Sequence, residues 1–322
     1  MRAIRFVRTG GPEVLELVEI DTPTPGVGQI LIRHEAIGIN FIETYQRTGL
    51  YPVKLPAIPG GEVAGRVEAV GEGVTRFSVG ERVATTNAGG AYAEASLVRA
   101  DRAVAIPESI STKVAAAILL KGMTTEALVR RTYPVKSGET VLVHAAVGGV
   151  GQIMTQWLKA IGATVIATVG SEAKAEKAHA LGADHVILYR EQDVAAEVRR
   201  ITGGVGVPVA FDSVGKDTFE GTLASLARRG LFVSFGNASG AAPPFAPGRL
   251  AASGSLYLTR PTLGDYVVTT EELDESAALV FGMVASGKIN IEIGQTFSLD
   301  DARNAHEALE SRATVGASLL LP

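Results

Sequence analysis

The sequence contains no cysteine, which excludes thiol catalysis, disulfide exchange, iron–sulfur ligation and every zinc site that needs a thiolate. It also lacks any apolar run near the roughly 18 to 20 residues that cross a bilayer. Its first eleven residues, MRAIRFVRTGG, alternate Arg with apolar positions and have no unbroken apolar core of the signal-peptide kind. A cytoplasmic protein without a membrane partner is therefore expected. A basic excess is missing as well: 30 Lys and Arg against 34 Asp and Glu give a formal charge of −4. Nucleic acid is not expected as a partner, because neutralising phosphates needs clustered cations. What is present is 322 residues, 46% of them hydrophobic and 37 of them glycine, enough for about two globular domains at roughly 100 to 200 residues each.

The pattern of residues changes along the chain. Up to about residue 110, short β-branched or alternating runs at 1–8, 14–20, 29–38, 61–70, 82–84 and 91–98 lie between Pro and Gly punctuators, as in a small antiparallel barrel or sandwich. An Ala- and Leu-rich helical stretch follows at 112–131, with Gly122 and Thr124-Thr125 offering a break and restart. From residue 139 strands alternate with helices. Strands are expected at 140–144, 164–169, 185–188, 208–212, 231–235 and 255–258, and helices at 151–161, 172–181, 192–201 and 217–228, with a loop over 237–252. That alternation predicts a doubly wound parallel sheet with right-handed crossovers. Helices at 271–286 and 299–309 and strands at 292–297 and 317–321 resume the mixed character of the start, so the parallel sheet is expected as an insertion within the first domain.

The strongest motif is the turn HAAVGGVG at 144–151, between the apolar run Val141-Leu142-Val143 and a helix. A pyrophosphate on a helix N-terminus needs backbone N–H groups with no side chain in the way, which glycines at a strand-to-helix turn provide. The second strand ends in Gly170 and Ser171, where an NAD site usually carries an acidic residue for the ribose 2′-hydroxyl. Small residues followed by Lys174 would accept a 2′-phosphate, which favours NADPH over NADH; Glu172 reads as a first-turn helix residue complementing the dipole. Of the five His, His34, His179, His185 and His306 read as packing or surface residues, and His144 as strand-end structure.

With both halves in view the sequence resembles the zinc-independent NADPH:quinone oxidoreductases of the medium-chain dehydrogenase/reductase superfamily, over essentially its whole length. The resemblance is carried by GINFIETY at 38–45, PGGEVAG at 59–65, the glycine turn, VSFGN at 233–237, GSLYLTRP at 254–261 and ESRAT at 310–314. It implies a Rossmann doubly wound parallel sheet with strand order 3-2-1-4-5-6, residues 124–262, inserted in a GroES-like β-barrel catalytic domain, residues 1–123 and 263–322. It further implies that Asn40 and Tyr45 line the nicotinamide site with Tyr51 nearby, Asn40 contacting both cofactor and substrate. Ala146, Gly148, Gly149 and Val150 would hold the pyrophosphate; Gly170, Ser171, Lys174, Tyr189 and Arg312 would surround the 2′-phosphate; and Ser213, Phe235, Gly236 and Asn237 would flank the cofactor. Read as residues alone, Tyr45 and Tyr51 are equally packing aromatics beside Pro52, and Asn40 a helix N-cap. The family implies a homodimer, expected through the sheet edge near residues 255–258.

The zinc alcohol dehydrogenases of the same superfamily carry Gly-His-Glu where this chain has Gly60-Gly61-Glu62, so Gly61 stands in place of a metal-binding His and no metal is expected. Without a Lewis acid, hydride delivery to a simple ketone would produce an alkoxide of pKa about 16, like water. A quinone yields a phenolate nearer ~10, and six pK units are worth roughly 8 kcal/mol. The expected reaction is therefore NADPH-dependent reduction of a quinone or another conjugated carbonyl, such as an enal or enone. A non-catalytic, crystallin-like or RNA-binding role is the remaining alternative.

Overall fold

The computed structural model describes residues 1–311 and 314–322. The chain divides into two compact units, Met1–Met123 with Val267–Pro322 (unit 1) and Thr124–Tyr266 (unit 2).

Unit 1 is built on a seven-stranded sheet. The long strand Gln29–Ile39 pairs antiparallel with Val63–Val70, with Ala95–Arg99 and with Ala317–Leu321, so early and late segments of the sequence share one sheet. Ile293–Ser298 lies parallel to Ala317–Leu321, a departure from the purely antiparallel expectation. Arg2–Arg5 and Glu16–Glu19 form a separate two-stranded sheet, shorter than the runs at 1–8 and 14–20 because Pro12–Val14 makes a 3-10 turn. The core gathers Ile30, Ile32, Ile37 and Ile39 from the long strand with Phe6, Val67, Val83 and Tyr92. Against this sheet the helix Phe41–Thr48 starts directly from the strand, capped by Asn40 and closed by Gly49 in the left-handed region.

The stretch at 112–131 is not broken at Gly122. Thr112–Glu126 is one α-helix, and the chain continues as a π-helical segment, Ala127–Thr132, in which Tyr133 N–H reaches back five residues to Leu128 O at 3.1 Å. Gly122 is there for packing: a Cβ would stand 2.5 Å from Val280 Cγ1 on the helix Thr270–Ala285. Tertiary contact thus outweighs the local breaking tendency of glycine.

Unit 2 has a six-stranded parallel sheet whose strands, numbered by their order within it, run 3-2-1-4-5-6: His185–Leu188, Thr164–Val169, Thr140–His144, Val207–Asp212, Leu226–Ser234 and Tyr257–Thr259. Its core layers Leu142, Ile166 and Phe232 of the sheet against Phe219 and Leu223 of a helix. Most boundaries shift by one or two residues from the sequence reading, and three differences are larger or have a clear cause. The helix expected at 217–228 is only Phe219–Ser225, because Leu226 already pairs with Val207 and the next residues bulge, with Arg229 at φ 61°, before pairing resumes at Leu231. The expected loop at 237–252 contains a short helix, Gly248–Ala252. The edge strand begins at Tyr257 and not at Ser255, since Gly254 and Ser255 turn through positive φ. Among the described residues no helix is long and apolar enough to cross a membrane.

Candidate functional site

In unit 2 the glycine turn sits at the C-terminal end of the first strand. Gly148 is the N-cap of the helix Gly149–Ile161 and brings no side chain to the cap, so the first-turn N–H groups face outward from a bare backbone. Ala145 takes φ 52°, which reverses the chain, and Gly148 N–H closes the turn on Ala145 O at 2.9 Å. A Cβ at Gly151 would overlap Ala145 O and stand 2.7 Å from Ala146 C, so only glycine lets this helix start so close to the strand end. Ala146, Gly148, Gly149 and Val150 therefore lie together on this turn; the Ala146 and Gly148 N–H groups donate to Thr168 O and Ala145 O, and the helix opens with Gly149 and Val150.

At the end of the second strand, Ser171 caps the helix Glu172–Ala180, whose first turn carries exposed Glu172 and half-buried Lys174. Tyr189 leaves the third strand and folds over Gly170: its hydroxyl is 2.8 Å from where a Cβ at Gly170 would stand. Burial, and then the neighbouring Arg190 guanidinium, hold the Lys174 ammonium below its ordinary pKa. Gly170, Ser171, Lys174 and Tyr189 thus lie at or beside the end of the second strand, with Lys174 as the cation among them. Arg312 falls outside the described residues.

Ser213, Phe235, Gly236 and Asn237 are also brought together. Phe235 N–H donates to Asp212 O at 2.8 Å, and a Cβ at Gly236 would overlap Ser213 O. Arg260 fastens this loop: its guanidinium donates to Ser234 Oγ at 3.1 Å and Gly236 O at 3.0 Å, and to the Asn237 amide oxygen at 3.2 Å once that amide is oriented to suit its neighbours. Beneath the strand ends, His144 is fully buried between Thr168 Oγ1 and Thr222 Oγ1, each 2.9 Å away.

In unit 1, Tyr45 and Tyr51 meet edge to face with ring centroids 5.3 Å apart. Asn40 is both cap and polar anchor. Its backbone N–H donates to Glu43 Oε2 at 2.6 Å, while its Nδ2 donates to Glu62 Oε2 at 3.0 Å. Glu43 is wholly buried, and desolvation raises its carboxyl pKa to about 8. His34 and His306 are buried too, and desolvation lowers their imidazoles to about 4 and about 3. Among the described residues no group of three or more His, Asp or Glu is placed to hold a metal ion. Sequence reasoning passed over Lys121, Glu43 and Arg260. The available signal for Lys121 was a lone charge inside the apolar helical run AAAILLKGM; Arg260 stood within a quoted motif without a role.

The comparisons agree with this geometry. Residues 26–108 match the alcohol dehydrogenase GroES-like domain, and residues 149–281 match the zinc-binding dehydrogenase family. The chain is 51% identical to a quinone oxidoreductase of Salmonella typhimurium across 99% of each chain. It is 42% identical to a 2-haloacrylate reductase of a Burkholderia species, across 98% of this chain and 97% of that one. The crystal structure of Escherichia coli quinone oxidoreductase complexed with NADPH superposes with a TM-score of 0.99 at 48% identity, covering 100% of both chains. With sheet order, glycine turn and full-length similarity in accord, the chain belongs to the quinone oxidoreductase family of the medium-chain dehydrogenase/reductase superfamily.

Proposed function

We propose that this chain catalyses the NADPH-dependent reduction of quinones by hydride transfer without a metal ion. The observation that carries the reading is the end of the second strand, where Gly170 and Ser171 replace the acidic residue of NAD sites and Lys174 lies half-buried beside Arg190. The relatives named quinone oxidoreductase, one solved with NADPH, support the same cofactor and acceptor.

When bound, NADPH supplies a hydride. The first-turn N–H groups of Gly149 and Val150 would bind its diphosphate, with Ala146 and Gly148 shaping the turn through their bonds to Thr168 O and Ala145 O, and Gly170, Ser171, Lys174 and Tyr189 would bind the 2′-phosphate. Ser213, Phe235, Gly236 and Asn237 flank it. Asn40, Tyr45 and Tyr51 orient the substrate ring and exclude water. The quinone gains two electrons and one hydrogen as hydride, then takes one proton from water or from the Tyr45 hydroxyl. The protein's contribution is orientation, because the acceptor stabilises its own anion.

The protein is proposed to act in the cytoplasm as a homodimer. The exposed edge strand Tyr257–Thr259, with Tyr257 61% exposed, supports pairing with a second copy. A second reading, reduction of an activated alkene such as an enal or enone, is favoured by the similarity to a 2-haloacrylate reductase.

The test is the initial rate of NADPH and NADH oxidation over a matched panel of benzoquinone, naphthoquinone, enals and 2-haloacrylate. Faster NADPH oxidation with quinones than with alkenes supports the first reading, and the reverse order supports the second. No acceleration by any acceptor overturns both. Sedimentation at the monomer mass at micromolar concentration overturns the dimer.

A further inference from the structure

Glu62, the carboxylate that survives from the metal-binding signature, is completely buried. Its oxygens are divided between three donors. Oε1 accepts from Leu120 N–H at 2.7 Å, and Oε2 accepts from both Asn40 Nδ2 and Lys121 Nζ at 3.0 Å. The fold makes room for this carboxylate: a Cβ at Gly38 would overlap Glu62 Oε2 and stand 2.6 Å from Ala116 O. Lys121 is 5% exposed, so an ammonium and a carboxylate are buried together, one hydrogen bond from the Asn40 amide.

We propose that Lys121 and Glu62 form a charge-neutral positioning pair for Asn40: Glu62 holds the amide by its nitrogen, and Lys121 cancels the carboxylate's charge beside a substrate oxygen that becomes negative. The proposal rests on the reading above that Asn40 faces the acceptor ring. Its physical basis is that a buried carboxylate without a partner repels an anion developing nearby, and the low-dielectric interior does little to screen it. Sharing one oxygen ties the two donors geometrically, so movement of Lys121 is felt at Asn40. Neither residue touches the acceptor in this scheme; both act through the amide. Glu43, on the neighbouring helix, also senses Lys121 and Glu62, and Tyr92 in turn senses both Glu43 and Arg47. Because burial raises its carboxyl pKa to about 8, Glu43 stays protonated across the acid range in which the pair is to be read.

The experiment compares wild type, Lys121→Met and the double variant Glu62→Gln/Lys121→Met in full-length protein. It follows NADPH-dependent naphthoquinone reduction from pH 5 to 7.5, with thermal unfolding alongside. Lys121→Met is expected to lose about 10- to 100-fold in kcat at pH 7.5, with KM for NADPH within about threefold of wild type. Its activity should recover toward pH 5, as the unpaired Glu62 takes up a proton. The double variant, with no buried charge and an acceptor oxygen retained at position 62, should stay within about tenfold of wild type with a flat profile, because replacing both members of a buried pair is tolerated better than removing one. A normal kcat in Lys121→Met overturns the pair, and so does a loss that shows neither acid recovery nor rescue by the second substitution. If Lys121→Met does not fold, the double variant decides: a kcat loss beyond tenfold at an unchanged melting temperature overturns the proposal. A wild type unable to reduce quinones refutes the underlying reading instead, whereas an active wild type with an indifferent Lys121→Met refutes the pair alone.

Discussion

The Thr222 hydroxyl stands 2.9 Å from both His144 Nε2 and Asp212 Oδ2 and so joins two buried titratable groups that do not touch. Asp212 collects further donors, Val214 N–H at 2.7 Å, Gly215 N–H at 3.1 Å and Thr218 Oγ1 at 2.7 Å. With the Thr222 proton directed to the carboxylate, His144 donates from Nε2 and accepts from Thr168 at Nδ1, the neutral form that burial also favours. Replacing Thr222 with the isosteric Val removes the shared group: His144 Nε2 loses this partner, while Asp212 Oδ2 keeps Thr218 Oγ1. The expected cost is about 1 to 3 kcal/mol, a fall in melting temperature of roughly 2 to 10 °C. Calorimetry checks it, and an unchanged transition would mean the hydroxyl is incidental.

How much of this was legible in the sequence follows from distance along the chain. Strand, glycine turn, helix and second strand lie within residues 140–169, and each announces itself by local periodicity, so a doubly wound parallel sheet followed from alternation and crossover hand, while its order 3-2-1-4-5-6 came only with the family resemblance. The positive φ at Arg229 is a choice of backbone that no local pattern marks, and it cost the boundary of one helix and one strand. Gly122 reads as a break until Val280 of a later helix is seen against it. Within the candidate site the pieces drawn from one segment, such as Gly148, Gly149 and Val150, were readable. Glu62 with Lys121, and His144 with Asp212 through Thr222, were not, because these groups lie 59 and 68 residues apart and are brought together only in the folded chain.

Cofactor choice should move with one side chain. Lys174→Ala removes a half-buried cation from the end of the second strand and should reduce the preference for NADPH over NADH in kcat/KM by about 10- to 100-fold, the worth of a charged hydrogen bond of ~1.5 to 3 kcal/mol. Activity with NADH should stay nearly constant. Equal use of both cofactors by the wild type would remove the 2′-phosphate assignment.

The glycine turn admits a sharper test of backbone. In Gly151→Ala the new methyl meets Ala145 O and Ala146, which are main-chain atoms that cannot rotate away, so the helix start must shift. KM for NADPH is expected to rise at least about tenfold, as one or more N–H contacts to the diphosphate lengthen, each worth about 1.5 kcal/mol or more. Gly148→Ala meets only Ala145 O, at 3.3 Å, and should be the milder of the two. The reverse ranking in matched titrations would contradict the geometry.

Acid should weaken unit 1 through His34. Its Nδ1 donates to Ala93 O at 2.7 Å and its Nε2 accepts from Ser96 Oγ at 2.8 Å, and burial, with the Arg33 charge adding, lowers its pKa to about 4. The unfolded chain takes that proton near 6.5. The contribution of neutral His34 is therefore complete above pH 6.5 and is lost as pH falls toward about 4, by up to about 3 kcal/mol. In His34→Gln the amide can donate to Ala93 O and accept from Ser96 while having no proton to gain. Urea midpoints measured at pH 7 and pH 4.5 should therefore fall less in the variant, and equal falls would show that His34 does not titrate on unfolding.

Base should act on Glu43 with the opposite sign. Desolvation raises its carboxyl pKa from 4.5 to about 8, with Glu62 adding repulsion and Lys121 and the Asn40 N–H opposing the rise. In the unfolded chain the same carboxyl ionises near 4.5, so the folded state holds the extra proton between these values. The stability tied to protonated Glu43 is full below about pH 4.5 and drains away as pH rises toward about 8, by a few kcal/mol on the order set by 1.36 kcal/mol per pK unit. Glu43→Gln keeps an oxygen for the Asn40 N–H, whose bond to Glu43 Oε2 is 2.6 Å, and removes the ionisation. The variant should therefore gain melting temperature relative to wild type as pH is raised from 5 to 8.5, crossing it if the lost capping contact is small. A difference that stays constant over this range would mean that Glu43 is ionised in the native protein, and that Lys121 is shared between two carboxylates instead of serving Glu62 alone.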